Sequence, residues 1–126
     1  MKYYRLFKKY WRTKRYNTAI KYYNKCGRPF WHSEEVGRYY ERCGMLSKVM
    51  TEYEYLVNEY MKMKILPLPK GPRELYKLGK WYIKKNPKKA KKYLKVYLSA
   101  EERCGTDPAF YLRHKRQAEY LLKKLD

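Results

Sequence analysis

The sequence predicts an all-α fold of stacked antiparallel helical hairpins, and three observations predict it. Apolar and aromatic residues recur at intervals of three and four rather than two, which is a helical and not a strand period. Gly and Pro interrupt that period often enough to cut the chain into segments of ordinary helix length. The spacing of small and aromatic residues in the C-terminal half also returns in the N-terminal half. At 126 residues the chain is one domain of ordinary size, able to bury about two-thirds of its unfolded surface.

The first helix is expected from about Lys2 to Thr13 and the second from Tyr16 to Lys25, before Gly27 and Pro29 break the pattern. Ser33 is the expected N-cap of the third, with Glu34 and Glu35 in a first turn whose dipole favours acids. That helix ends at Cys43-Gly44, and a fourth spans Leu46 to Met63. The Pro-rich run 65–72 cannot be helical in its middle and reads as the one linker. Pro72 then opens a fifth helix reaching Lys85. Asn86-Pro87 starts a sixth running to Arg103, and Asp107-Pro108 a seventh ending near Leu125. Cys26, Cys43 and Cys104 each precede a Gly, so each Gly is expected to end a helix in the left-handed conformation with a small buried Cys before it.

Three stretches follow one plan. Leu78-Gly79 leads to Tyr82, Ala90, Leu94 and Tyr97; Val36-Gly37 leads to Tyr40, Val49, Tyr53 and Leu56; Leu6-Phe7 leads to Tyr10, Ala19, Tyr23 and Cys26. The distance from the first small-residue slot to the second is 12 residues from Phe7 to Ala19, 12 from Gly37 to Val49 and 11 from Gly79 to Ala90. This pattern resembles the tetratricopeptide repeat in degenerate form. The resemblance implies an α-solenoid: one domain over 1–126, with hairpins at about 2–26, 31–63 and 72–103 and a capping helix at about 107–125. Phe7 and Val49 are large for their slots, so the first two hairpins are expected to splay.

The charge of +20 is unevenly placed. Residues 1–32 hold ten basic and no acidic side chains, 33–60 three and six, and 61–126 nineteen and six. The resemblance implies that the first helix of each hairpin lines a concave groove. The residue after each first slot is then Lys8, Arg38 or Lys80, and four residues on stand Arg12, Arg42 and Lys84. Such i, i+4 pairs share a helix face, so the six form a candidate basic ladder, with Tyr4 and Tyr76 as packing platforms. Arg grips carboxylate and phosphate alike. A second candidate is a nucleic-acid patch of Lys85, Lys88, Lys89, Lys91 and Lys92, whose lysines sit at a helix start against its dipole. Most tyrosines are read as core. Trp11 and Trp81 are read as wedges, while Tyr4, Trp11, Trp31 and Tyr76 are candidates for stacking on bases.

No Gly-rich phosphate loop, metal-ligand spacing or nucleophile motif is present, so neither cofactor, metal nor enzymatic activity is expected. No run of about 20 apolar residues exists, and the first 13 residues lack the apolar stretch of a signal peptide; a cytoplasmic, non-membrane protein is expected. The sequence reads as an interaction module whose basic groove binds an acidic protein or peptide segment. The alternative is an RNA- or DNA-binding module, or a basic subunit of a nucleoprotein assembly.

Overall fold

A computed structural model describes the backbone of residues 1–63, 72–104 and 108–125, and the side chains up to 63, from 73 to 99 and from 113 to 125. Within these residues there are seven α-helices and no strand: α1 (Lys2–Arg12), α2 (Tyr16–Lys25), α3 (Ser33–Arg42), α4 (Leu46–Lys62), α5 (Pro72–Tyr82), α6 (Pro87–Cys104) and α7 (Pro108–Leu125). Neighbours pack in pairs, α1 with α2, α3 with α4 and α5 with α6; α4 also packs on α5, and α7 covers α6 and touches α5. The proline-rich linker, Gly105 and the Asp107 cap lie outside the described residues.

The repeated slots are where the pairs close. Ala19, Val49 and Ala90 are completely buried, and so are Tyr23, Leu56, Leu94 and Tyr97. A Cβ on Gly37 would stand 2.5 Å from the Tyr53 ring, and one on Gly79 would stand 2.6 Å from two carbons of Leu94. Both glycines therefore set the approach of the two helices in their hairpin. In the first hairpin Phe7 fills that slot and lies 5.5 Å from the Tyr23 ring. Hairpins 1 and 2 meet through long side chains and a 3-10 turn, Phe30–His32, with their helix backbones held apart.

The hairpin turns repeat as well. Arg15 N–H donates to the Tyr10 carbonyl at 2.9 Å, and thirty residues later Met45 N–H donates to the Tyr40 carbonyl at 3.0 Å. Each turn passes through one left-handed residue, Lys14 (φ 64°) or Gly44 (φ 73°). In the third hairpin Asn86 N–H reaches Tyr82, four residues back rather than five. The spacing of 11 instead of 12 is this missing turn residue, and no left-handed residue is needed there. Asn86 also caps α6 by accepting from Lys89 N–H.

Three local expectations are corrected. Ser33 begins α3 as its first helical residue, and its hydroxyl is hydrogen-bonded to Tyr23 rather than capping the helix. The preceding 3-10 turn carries the chain into the helix in its place. Cys43 is exposed and Cys26 half-buried, although Gly27 and Gly44 are left-handed as expected. Helix α5 stops at Tyr82, three residues short of Lys85, because the shorter turn starts there.

Candidate functional site

The charge pattern along the chain takes its meaning from how the acids are used. All six glutamates of the second hairpin have internal partners. Glu34 pairs with Arg38 at 2.7 Å, Glu35 with His32, and Glu59 with Lys62 at 3.4 Å. The other three reach outward to the flanking hairpins. Glu52 accepts from Tyr23 at 2.7 Å and pairs with Arg28 at 3.0 Å, both from hairpin 1. Glu41 pairs with Lys77 at 2.9 Å, while Glu54 accepts from Tyr82 and Tyr93, each at 2.6 Å, and pairs with Lys89 at 3.2 Å. The acidic centre thus fastens two basic flanks together.

Glu54 shows the electrostatics. Burial raises its carboxyl, but hydrogen bonds from Tyr82 and Tyr93 and the charge of Lys89 outweigh that and hold it below its ordinary value. Burial and the neighbouring carboxylate push Tyr82 up to about 12, so it remains a donor. A carboxyl with a depressed folded-state pKa adds stability that is present above its unfolded value of about 4.3 and is lost as pH falls through the folded value. Glu54→Gln is therefore expected to lower the urea midpoint at neutral pH. It should also shrink the further loss between about pH 5 and 3. An unaltered acid slope in the variant would show that Glu54 carries none of it. Glu74 runs the other way: it is 4% exposed, and burial with Glu34 nearby pushes its carboxyl up.

Once the acids are paired, the cations left over define the candidate surface. Of the ten basic residues in 1–32, Arg28 alone has a carboxylate partner among the described residues; the other nine are exposed and have none there. Four of these, Arg5, Lys8, Lys9 and Arg12, line a cavity of about 430 Å³ floored by Phe7, Trp11 and His32. His32 is fixed from both sides, by Glu35 at Nδ1 and by the Tyr4 hydroxyl at Nε2, 2.9 Å away. A neighbouring cavity of about 400 Å³ shares His32 and Glu35 and adds Trp31, Glu34 and Arg38.

The ladder is therefore assembled in part. Lys8 and Arg12 share one cavity, and Arg38 lies in the next, tied to Glu34. Arg42 turns its guanidinium over the Tyr16 ring at 5.9 Å. Lys80 lies 5.6 Å from its own Tyr76 ring, and Lys84 falls beyond the end of α5, in the turn, so the two do not share a helix face. Tyr4 is half-buried and occupied by His32 and by Trp31, whose Nε1–H donates to its hydroxyl at 3.4 Å. Tyr76 is 3% exposed, donates to Gln117 at 2.5 Å and stacks on His114 at 4.6 Å, so its ring joins α5 to α7. In the lysine patch, Lys89 is exposed and paired with Glu54, Lys85 covers Trp81, Lys92 lies 5.6 Å from Tyr93, Lys88 is exposed and Lys91 half-buried.

Arg5 and Lys9 were not singled out from the sequence, yet they stand i, i+4 like Lys8 and Arg12 in a hairpin without one acid. That double row was a usable signal. Trp31 is among the sequence candidates for stacking on bases, whereas His32 carries no such signal, because a 3-10 turn breaks helical periodicity. Among the described residues no group of His, Cys, Asp and Glu is placed to hold a metal ion, and no helix is long and apolar enough to cross a membrane. Compared with known proteins, the chain matches no family model, no curated protein and no solved structure.

Proposed function

We propose that the chain is a degenerate tetratricopeptide-like stack that works by binding, not catalysis, and that hairpin 1 binds nucleic acid. The observation carrying this reading is the set of nine exposed cations on α1, α2 and their turns that have no carboxylate partner among the described residues and are interleaved with aromatic rings. Tyr3, Tyr22 and Tyr10 form a continuous stack, with Tyr22 in the middle at 6.0 and 5.7 Å from its neighbours. Lys25 lies over Tyr3 and Tyr22, and Lys9 and Arg15 over Tyr10. Cations spread over a whole hairpin complement a polymer with a charge at every unit, and rings among them suit bases.

The acidic-segment reading draws on one distinct feature, the cavity where Lys8 and Arg12 stand over Phe7 and Trp11. Both readings share those cations, so one experiment ranks them. Affinity for a labelled oligothymidylate and for polyglutamate is measured by fluorescence anisotropy over a salt series. The oligonucleotide is expected to bind more tightly at every salt concentration, with log affinity falling linearly in log salt. Lys8→Glu with Arg12→Glu should weaken it about tenfold or more and flatten the slope by about 1 to 2. Tighter binding of polyglutamate would overturn the nucleic-acid reading in favour of an acidic protein segment.

A further inference from the structure

Seven large apolar side chains are exposed among the described residues, and three of them meet at one place. Met1 is 90% exposed, Trp31 52% and Tyr3 42%, and all three line a single cavity of about 620 Å³ between the start of α1, the α2–α3 connection and α4. Folding alone does not favour leaving a Trp half in water beside a Tyr and a Met, and clustered exposed apolar surface marks an interaction site. The cavity lies within the size range of pockets that seat small planar groups.

Trp31 is presented rather than merely left out. It sits at the centre of the 3-10 turn, and Phe30 meets it edge-on at 5.3 Å and Tyr4 edge-on at 6.5 Å. Its Nε1–H is hydrogen-bonded to Tyr4. The side chain is therefore held in one orientation by its neighbours while half its surface remains open. Tyr3 is braced in a similar way by Tyr22 stacked against it, with the Lys25 ammonium 5.5 Å from its ring. Arg28, also at the cavity, is tied to Glu52 and lies over Tyr55 at 4.3 Å, so it shapes the wall. Lys25 also lines the cavity and has no carboxylate partner among the described residues.

The cavity is also continuous with the basic surface. Trp31 belongs both to it and to the neighbouring cavity with His32, Glu35 and Arg38, and that cavity in turn shares His32 and Glu35 with the one lined by Lys8 and Arg12. A backbone whose phosphates follow α1 thus passes directly beside the exposed rings. We propose that this aromatic cavity receives an unstacked base of a single-stranded nucleic acid, with Trp31 and Tyr3 as its stacking surfaces and Lys25 as a phosphate contact. The proposal rests on the nucleic-acid reading of hairpin 1 and deepens it. Bases paired in a duplex have no free faces to offer, so a single strand is the form selected.

The test compares three probes on the parent chain and on Trp31→Ala: oligothymidylate, an abasic oligonucleotide of the same length, and inorganic polyphosphate. The parent is expected to prefer oligothymidylate over its abasic counterpart. Trp31→Ala should weaken oligothymidylate binding about five- to a hundredfold and leave the other two probes within about twofold. Trp31→Phe, which keeps a ring face, should recover much of the loss. Equal loss on all three probes, or no loss on oligothymidylate, would overturn the cavity assignment while leaving nucleic-acid binding standing. If the parent itself ignores oligothymidylate but binds polyglutamate, the reading of hairpin 1 fails with it. Thermal unfolding of each variant confirms that an exposed site was altered in a folded protein.

Discussion

Glu52→Ala is expected to destabilise the protein by about 3 kcal/mol, read as a lowered urea midpoint at an unchanged m-value. Glu52 is 5% exposed and is the joint between hairpins 1 and 2. It accepts from the fully buried Tyr23 and from Arg28, and Tyr23 is in turn hydrogen-bonded to Ser33. Removing the carboxylate leaves a buried phenol with only Ser33 and leaves a guanidinium without its counter-charge. Breaking a buried pair from one side costs about 3–5 kcal/mol, and because the Arg28 side chain is 33% exposed and can rehydrate, the lower end applies. Tyr23→Phe should cost less, about 1–2 kcal/mol, since only a hydroxyl is lost. The two changes should fall short of additivity, because they disable the same hydrogen bond. A loss below about 1 kcal/mol in Glu52→Ala would show that the hairpins are held by apolar packing alone.

Gly79→Val is expected to cost about 3 kcal/mol, seen as a drop in melting temperature and a steeper loss than Gly79→Ala produces. Two effects oppose each other here. A side chain at a helical Gly gains about 1 kcal/mol of backbone propensity when it is Ala, and less when it is β-branched. Against that, the new Cβ would lie 2.6 Å from both Cγ and Cδ2 of Leu94, which is completely buried. Helices α5 and α6 must separate, and the layer made by Leu78, Leu94 and Tyr97 opens with them. Gly37→Ala meets the edge carbons of the buried Tyr53 ring at 2.5 and 3.0 Å and adds one methyl, so its cost is expected to be smaller than that of Gly79→Val. A Gly79→Val chain as stable as its parent would mean that the slot does not control helix approach.

These two positions differ in how readable they were. Gly79 was readable through spacing, since a Gly 11 or 12 positions before Val49 or Ala90 in a helical pattern has few meanings other than close approach. The helix starts at Pro72 and Pro87 and the left-handed turn at Gly44 were readable for the same reason, being fixed by residues within a turn of one another. Glu52 gave no such sign. Its partners Tyr23 and Arg28 are 29 and 24 residues away, and those of Glu54 are 28, 35 and 39 away. The burial of Tyr76 was hidden likewise, because its covering residue Gln117 lies 41 positions on.

The candidate site divides along that line. Lys8 and Arg12 were legible as a face of α1, because i, i+4 geometry is a property of a single helix. Trp31 was legible as a candidate stacking ring but the cavity around it was not, because a 3-10 turn packed against α1 and α4 has no period to follow. The amino-acid sequence by itself determined seven helices, their pairing into hairpins, the short third turn and a chain of basic, acidic and basic segments. The tertiary structure alone decided which of those charges remain free. Ion pairs form between side chains that the fold brings within a few ångströms, whatever their distance along the chain. Three glutamates of the centre therefore reach the two flanks, and nine of the ten cations of residues 1–32 keep no carboxylate partner among the described residues.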